Sequence, residues 1–68
     1  MIDYEALKKE LPKLKAALTR AKKSKDPQRV IAAAEAAFKR FEEIGWPDCW
    51  HLWNRAKADA EFQALLSR

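Results

Sequence analysis

A chain of 68 residues, 49% hydrophobic and 35% charged, has room for one globular domain that buries about 60% of its unfolded surface, and it is too apolar to stay disordered. One glycine, three prolines and one cysteine exclude a turn-rich β-sandwich and an internal disulfide framework, and no apolar run approaches the roughly 20 residues of a membrane span. Bases outnumber acids by 14 to 10, and the surplus is local: residues 1–25 hold eight bases against three acids, with no acid from Lys13 to Lys25.

Tyr4, Leu7, Leu11, Leu14, Leu18 and Ala21 recur at spacings of three and four. That is one apolar stripe of a helix whose other sides carry lysine, and it predicts a first helix over 3–24. Asp3 is placed to cap its start. Pro12 falls inside the stripe, where a proline removes a backbone hydrogen bond and costs roughly 3 kcal/mol. The stripe keeps its phase on both sides of Pro12, so the expectation is a first helix either kinked or broken there.

Asp26-Pro27 combines an N-cap acid with a proline at the first helical position, where the missing amide costs nothing. The second helix is expected over 27–44, with Val30, Ala34, Ala37, Phe38, Phe41 and Ile44 inward. Arg29, Glu35, Lys39, Arg40, Glu42 and Glu43 stay in water, and Glu35–Lys39 is a favourable pair one turn apart. Gly45, the sole glycine, ends this helix in the left-handed conformation that glycine takes without strain. Pro47 and Asp48 restart the chain, and a third helix is expected over 47–66 with Trp46, Cys49, Trp50, Trp53, Ala56 and Ala60 on one face.

Short links between three amphipathic helices predict an all-α fold, a compact three-helix bundle in which residues 1–68 form a single helical domain. Phe38, Phe41, Trp46, Trp50 and Trp53 fill the space opposite the alanine faces; if one ring stays partly exposed, it is Trp46, at the turn. Phe62, Leu65 and Leu66 lie away from the tryptophan stripe. Either the start of the first helix (Ile2, Tyr4, Leu7) folds back over them, or they face a partner or a second copy.

The segment from Trp46 to Asn54 is the densest chemically, yet it offers no catalytic set. Cys49 and His51 are two residues apart and diverge on a helix, no second histidine or cysteine exists, and so a zinc site is excluded. Asp48 and His51 read as a side-chain pair near a helix start. With no nucleophile–base pair and no phosphate-cradling glycine loop, the chain reads as non-enzymatic, without cofactor or metal. His51, Asn54, Arg55 and Ala58 lie opposite the aromatic stripe, where a recognition helix would show its base readers. Asp48, Asp59 and Glu61 weigh against that use of the third helix.

Gly45-Trp46-Pro47-Asp48, with Trp50, Trp53, Arg55-Ala56 and Asp59-Ala60, resembles a pattern in short, uncharacterised helical proteins of bacterial phages and mobile elements. The resemblance spans residues 45–60 and implies an accessory protein of phage or mobile-element origin.

The first helix is the strongest functional candidate. Lys8, Lys15, Lys22 and Lys25 share a side by spacing, and Lys9, Lys13 and Arg20 flank other sides. Such a face attracts phosphate polymers, and lysine, a point charge, contacts backbone phosphates rather than base edges. The expectation is an accessory or regulatory binding module that associates with nucleic acid through Lys8, Lys13, Lys15, Arg20, Lys22, Lys23 and Lys25. The alternative is a protein-interaction module or homodimer using Leu52, Phe62, Leu65 and Leu66. The start Met-Ile-Asp-Tyr-Glu lacks the features of a secretion signal and Cys49 is a lone thiol, which together point to the cytoplasm and to no membrane partner.

Overall fold

Two aspartates open the first two helices by the same chemistry. The Asp3 carboxylate accepts from the Ala6 N–H at 3.0 Å and starts α1 (Tyr4–Lys23); the Asp26 carboxylate accepts from the Gln28 N–H at 3.0 Å and starts α2 (Pro27–Ile44). Each satisfies an amide that the first turn leaves without a partner. A 3-10 turn at Asp48–Trp50 then leads into α3 (His51–Leu66). The computed structural model describes residues 2–67, which are almost entirely helical and contain no strand.

Helix α2 packs against both α1 and α3. Leu7, Leu18 and Ala21 from α1 meet Val30, Ala34, Ala37, Phe41 and Ile44 from α2 and Trp53, Ala56 and Ala60 from α3 in one buried cluster. Phe41 and Trp53, the largest fully buried side chains, stack edge to face with ring centroids 5.2 Å apart. Such pairs add about 0.5–1.5 kcal/mol beyond the area they bury. The alanines on the facing turns let the backbones approach around these two rings.

The connections set which ends meet. The Asp3 N–H donates to the Ile44 carbonyl at 2.7 Å, which ties the start of α1 to the end of α2. Gly45 closes α2 by donating its N–H to the Phe41 carbonyl at 2.7 Å. Its backbone is at φ 114, ψ 154, an extended conformation essentially reserved to glycine and distinct from the expected left-handed cap. At the other end, the Ser24 hydroxyl donates to the Ala21 carbonyl at 2.6 Å and accepts from the Asp26 N–H at 3.2 Å. Lys25 takes the left-handed conformation there, with φ 58.

Several expectations are corrected by these contacts. Helix α1 runs through Pro12 without a break, and Pro12 is exposed, which leaves the carbonyl that loses its partner on the water side. Tyr4 is exposed rather than part of the apolar stripe, because the chain before it turns toward Gly45. The third helix does not begin at Pro47: the 3-10 turn precedes it. With about 3.0 residues per turn, that turn shifts the phase of what comes before α3. Trp50 is therefore 38% exposed while Trp53 is fully buried; the 39% exposure of Trp46, at the turn, is as expected. Glu35 pairs with Lys57 of α3 at 3.6 Å in place of Lys39.

Candidate functional site

Six of the seven bases singled out in the sequence, Lys8, Lys13, Lys15, Arg20, Lys22 and Lys23, are exposed along α1. At about 100° per residue, Lys8, Lys15 and Lys22 form a line on one flank of the buried face, while Lys13 and Arg20 lie on the other flank. Lys23 falls between them. Lys25 is also exposed but stands beyond the helix end, in the turn, so it does not continue the line of Lys8, Lys15 and Lys22 as its spacing suggested. Among the described residues, only Lys13 of the seven forms an ion pair, with Glu10 at 4.0 Å.

Glu10 belongs to a short ionic chain that the sequence reading missed. The Arg40 guanidinium donates through Nε to Glu10 at 2.6 Å and through Nη1 to Glu43 at 2.6 Å. Arg40 was expected on the wet face of α2, yet it bridges α1 and α2. These contacts hold the Glu10 carboxyl below its ordinary range, chiefly through the Arg40 hydrogen bond, and raise Arg40 through both carboxylates. The pair ties α1 to α2 at the edge of the buried face formed by Leu7, Leu18 and Ala21. A residue spacing of 30 leaves no periodic signal, so a pair of this kind is not readable from local pattern.

Lys22 and Lys25 converge with Asp26, Asp59 and Gln63 at the rim of an open groove of about 440 Å³, floored by Val30, Ala56 and Ala60. The small floor residues leave this groove, which lies where the end of α1, the start of α2 and the second half of α3 meet. Asp59 puts an acid across from the two lysines, so the basic surface is purest along α1 and is mixed in the groove.

The apolar candidates lie elsewhere. Leu52, Phe62, Leu65 and Leu66 are all exposed on α3, at 50%, 56%, 66% and 65%. The start of α1 does not fold over them, because Asp3 is held at Ile44, at the end of α2, whereas the second half of α3 lies beside the start of α2. Leu65 also lines a shallow cleft with Ile31, Glu61 and Ala64. Trp46 and Trp50 form a separate apolar surface, edge to face with centroids 5.8 Å apart. The ring of Trp50 also meets that of His51 at 5.8 Å; among the described residues, Asp48 and His51 form no ion pair, contrary to expectation.

His51, Asn54, Arg55 and Ala58 are exposed as the recognition-helix reading requires, but so are Asp48, Asp59 and Glu61. No helix among the described residues is long and apolar enough to cross a membrane. No protein-family model matches this chain, and no curated protein or solved structure is significantly similar to it.

Proposed function

We propose that this chain is a non-enzymatic accessory or regulatory module, of phage or mobile-element origin, that binds nucleic acid electrostatically through α1. The observation that carries the reading is the exposure of Lys8, Lys13, Lys15, Arg20, Lys22, Lys23 and Lys25 on a stretch that holds no acid from Lys13 onward. From Lys8 to Lys22 the line of lysines runs about 21 Å at about 1.5 Å per residue, the length of roughly six base pairs of duplex. Ammonium groups on that line meet phosphates and not base edges, so the binding is to the backbone and has little sequence preference. The wider architecture in this reading is an antiparallel three-helix bundle, bent at Pro12, acting in the cytoplasm with α1 as its outer, phosphate-facing member.

A salt titration of binding to double-stranded and single-stranded DNA tests it. Affinity is expected to fall steeply with salt, and Lys15→Glu with Lys22→Glu is expected to abolish binding while leaving the helical signal intact, since both side chains are exposed. Undiminished binding by that double variant at low salt removes the reading.

A further inference from the structure

We infer that Trp46 and Trp50 form a binding corner for the trimethylammonium group of a small, free quaternary-ammonium compound. The two indoles stand with their planes at 87° and their ring centroids 5.8 Å apart, and they line an open, almost wholly apolar recess of about 380 Å³. Two indoles at a right angle make two walls of an aromatic box. Their negative ring faces attract a cation, and a charge spread over methyl groups keeps apolar contact with both.

The walls are held in place by their neighbours. Trp46 packs on Phe38 and Phe41 with centroids at 5.4 and 5.5 Å, and Trp50 meets the ring of His51 at 5.8 Å. Both indoles nevertheless remain open to solvent. The same aromatic cluster already holds one cation of the chain's own: the Lys57 Nζ lies 5.9 Å from the centroid of Phe38, the ring that backs Trp46. Glu35 meets that ammonium at 3.6 Å, so its charge is compensated.

Charge selects a cation over a neutral guest or an anion. From Phe41 to Asn54 the chain holds three acids, Glu42, Glu43 and Asp48, and no lysine or arginine, the reverse of α1. Arg40 engages Glu43, but among the described residues Glu42 and Asp48 form no ion pair, and both are exposed. Asp48 falls between the two tryptophans in the chain, and Glu42 lies one turn beyond Phe38 on the same side of α2. The last turn of α2 carries no base to offset the negative end of its dipole. Anions are drawn to α1 and turned away here. With no strand among the described residues, an extended peptide finds no sheet edge to pair with, which favours a small molecule over a methylated lysine on a protein tail.

Choline is the probe, and dimethylbutanol, in which a carbon replaces the nitrogen, is the neutral control. Titrations at constant ionic strength are followed by the three indole N–H resonances. Choline is expected to move the signals of Trp46 and Trp50 together and saturably, leaving that of the fully buried Trp53 in place. The alcohol is expected to bind about fivefold more weakly. Glu42→Gln with Asp48→Asn should weaken choline binding about threefold with an unchanged helical circular-dichroism signal, since both side chains are exposed. Trp50→Leu keeps an apolar wall without a ring face and should remove the preference for choline over the alcohol. Equal affinity of wild type for the two probes overturns the proposal, as does a choline response that survives Trp50→Leu. A wild type that responds to phosphatidylcholine vesicles but not to free choline overturns it as well.

Discussion

Gly45 and Ile2 are in closer contact than any other residue type at position 45 would permit. A Cβ added to Gly45 would stand 2.8 Å from the Ile2 Cα and 2.9 Å from its Cβ, and the backbone there is at φ 114. Both the space and the dihedral exclude a side chain, and the neighbouring Asp3–Ile44 hydrogen bond fixes the segment that would have to move. Gly45→Ala is expected to cost about 1–3 kcal/mol. At about 4–8 °C per kcal/mol for a domain of this size, the loss should be plain in a thermal melt. An unchanged melting temperature would show that residues 2–3 are not held on α2.

The opposite turn can be improved. Lys25 occupies a left-handed position, φ 58, that costs a side-chain-bearing residue about 1–2 kcal/mol. Lys25→Gly is expected to gain about 0.5–1 kcal/mol after the greater freedom of glycine in the unfolded chain is subtracted. Ser24→Ala removes the hydroxyl that joins the Asp26 N–H to the Ala21 carbonyl and is expected to lose about 0.5–1.5 kcal/mol. Urea unfolding midpoints measure both, and equal midpoints for Lys25→Gly and wild type would contradict the first.

These two turns also show what was legible in the sequence. The caps at Asp3 and Asp26-Pro27 were read correctly because they are local, a side chain meeting an amide two or three residues on. Gly45 was read as a helix end, but its conformation was not, because a contact with Ile2, far away in the chain, sets it. The 3-10 turn left no periodic trace, and so the projection of one straight helix placed Trp50 in the core beside Trp53. The exposure of the six bases on α1 follows from its apolar stripe, whereas the position of Lys25, in the turn beyond the helix, does not. The position of Phe62, Leu65 and Leu66 beyond reach of Ile2 and Tyr4 did not, since it depends on which helix ends meet.

Acid should loosen the contact between α1 and α2. Arg40 depresses the Glu10 carboxyl in the folded state, so folding favours its ionised form. The stability this contributes is complete above the unfolded value and is lost as pH falls through the lower, folded one. Glu10→Gln keeps a neutral acceptor for Arg40 but cannot titrate. Its urea midpoint should therefore fall less than that of wild type between pH 6 and pH 3; parallel curves would show that the pair contributes nothing to the acid response.

The three tryptophans should separate by fluorescence. Trp53 is fully buried and its Nε1–H has no hydrogen-bond partner, whereas Trp46 and Trp50 are each nearly two-fifths exposed. An indole without a polar partner emits at short wavelength and is out of reach of a dissolved quencher. Acrylamide is expected to quench only part of the emission, leaving a blue-shifted remainder, and Trp53→Phe should abolish that remainder. Full quenching of wild type by one uniform process would place Trp53 nearer the surface than its contact with Phe41 allows.

The phosphate reading of α1 makes a prediction finer than loss of binding. Each lysine that neutralises a phosphate on duplex DNA contributes about 0.9 to the slope of log affinity against log salt. Lys15→Ala and Lys22→Ala should each flatten that slope by about 1 and weaken binding alike on unrelated sequences. Lys13→Ala should change it less, because Lys13 already shares the Glu10 carboxylate at 4.0 Å. Arg55→Ala on α3 is the control, since it lies on the helix whose bases and acids balance. A slope that moves with Arg55 and stays fixed with Lys15 and Lys22 would transfer the nucleic-acid surface from α1 to α3, to the face that His51, Asn54 and Ala58 share.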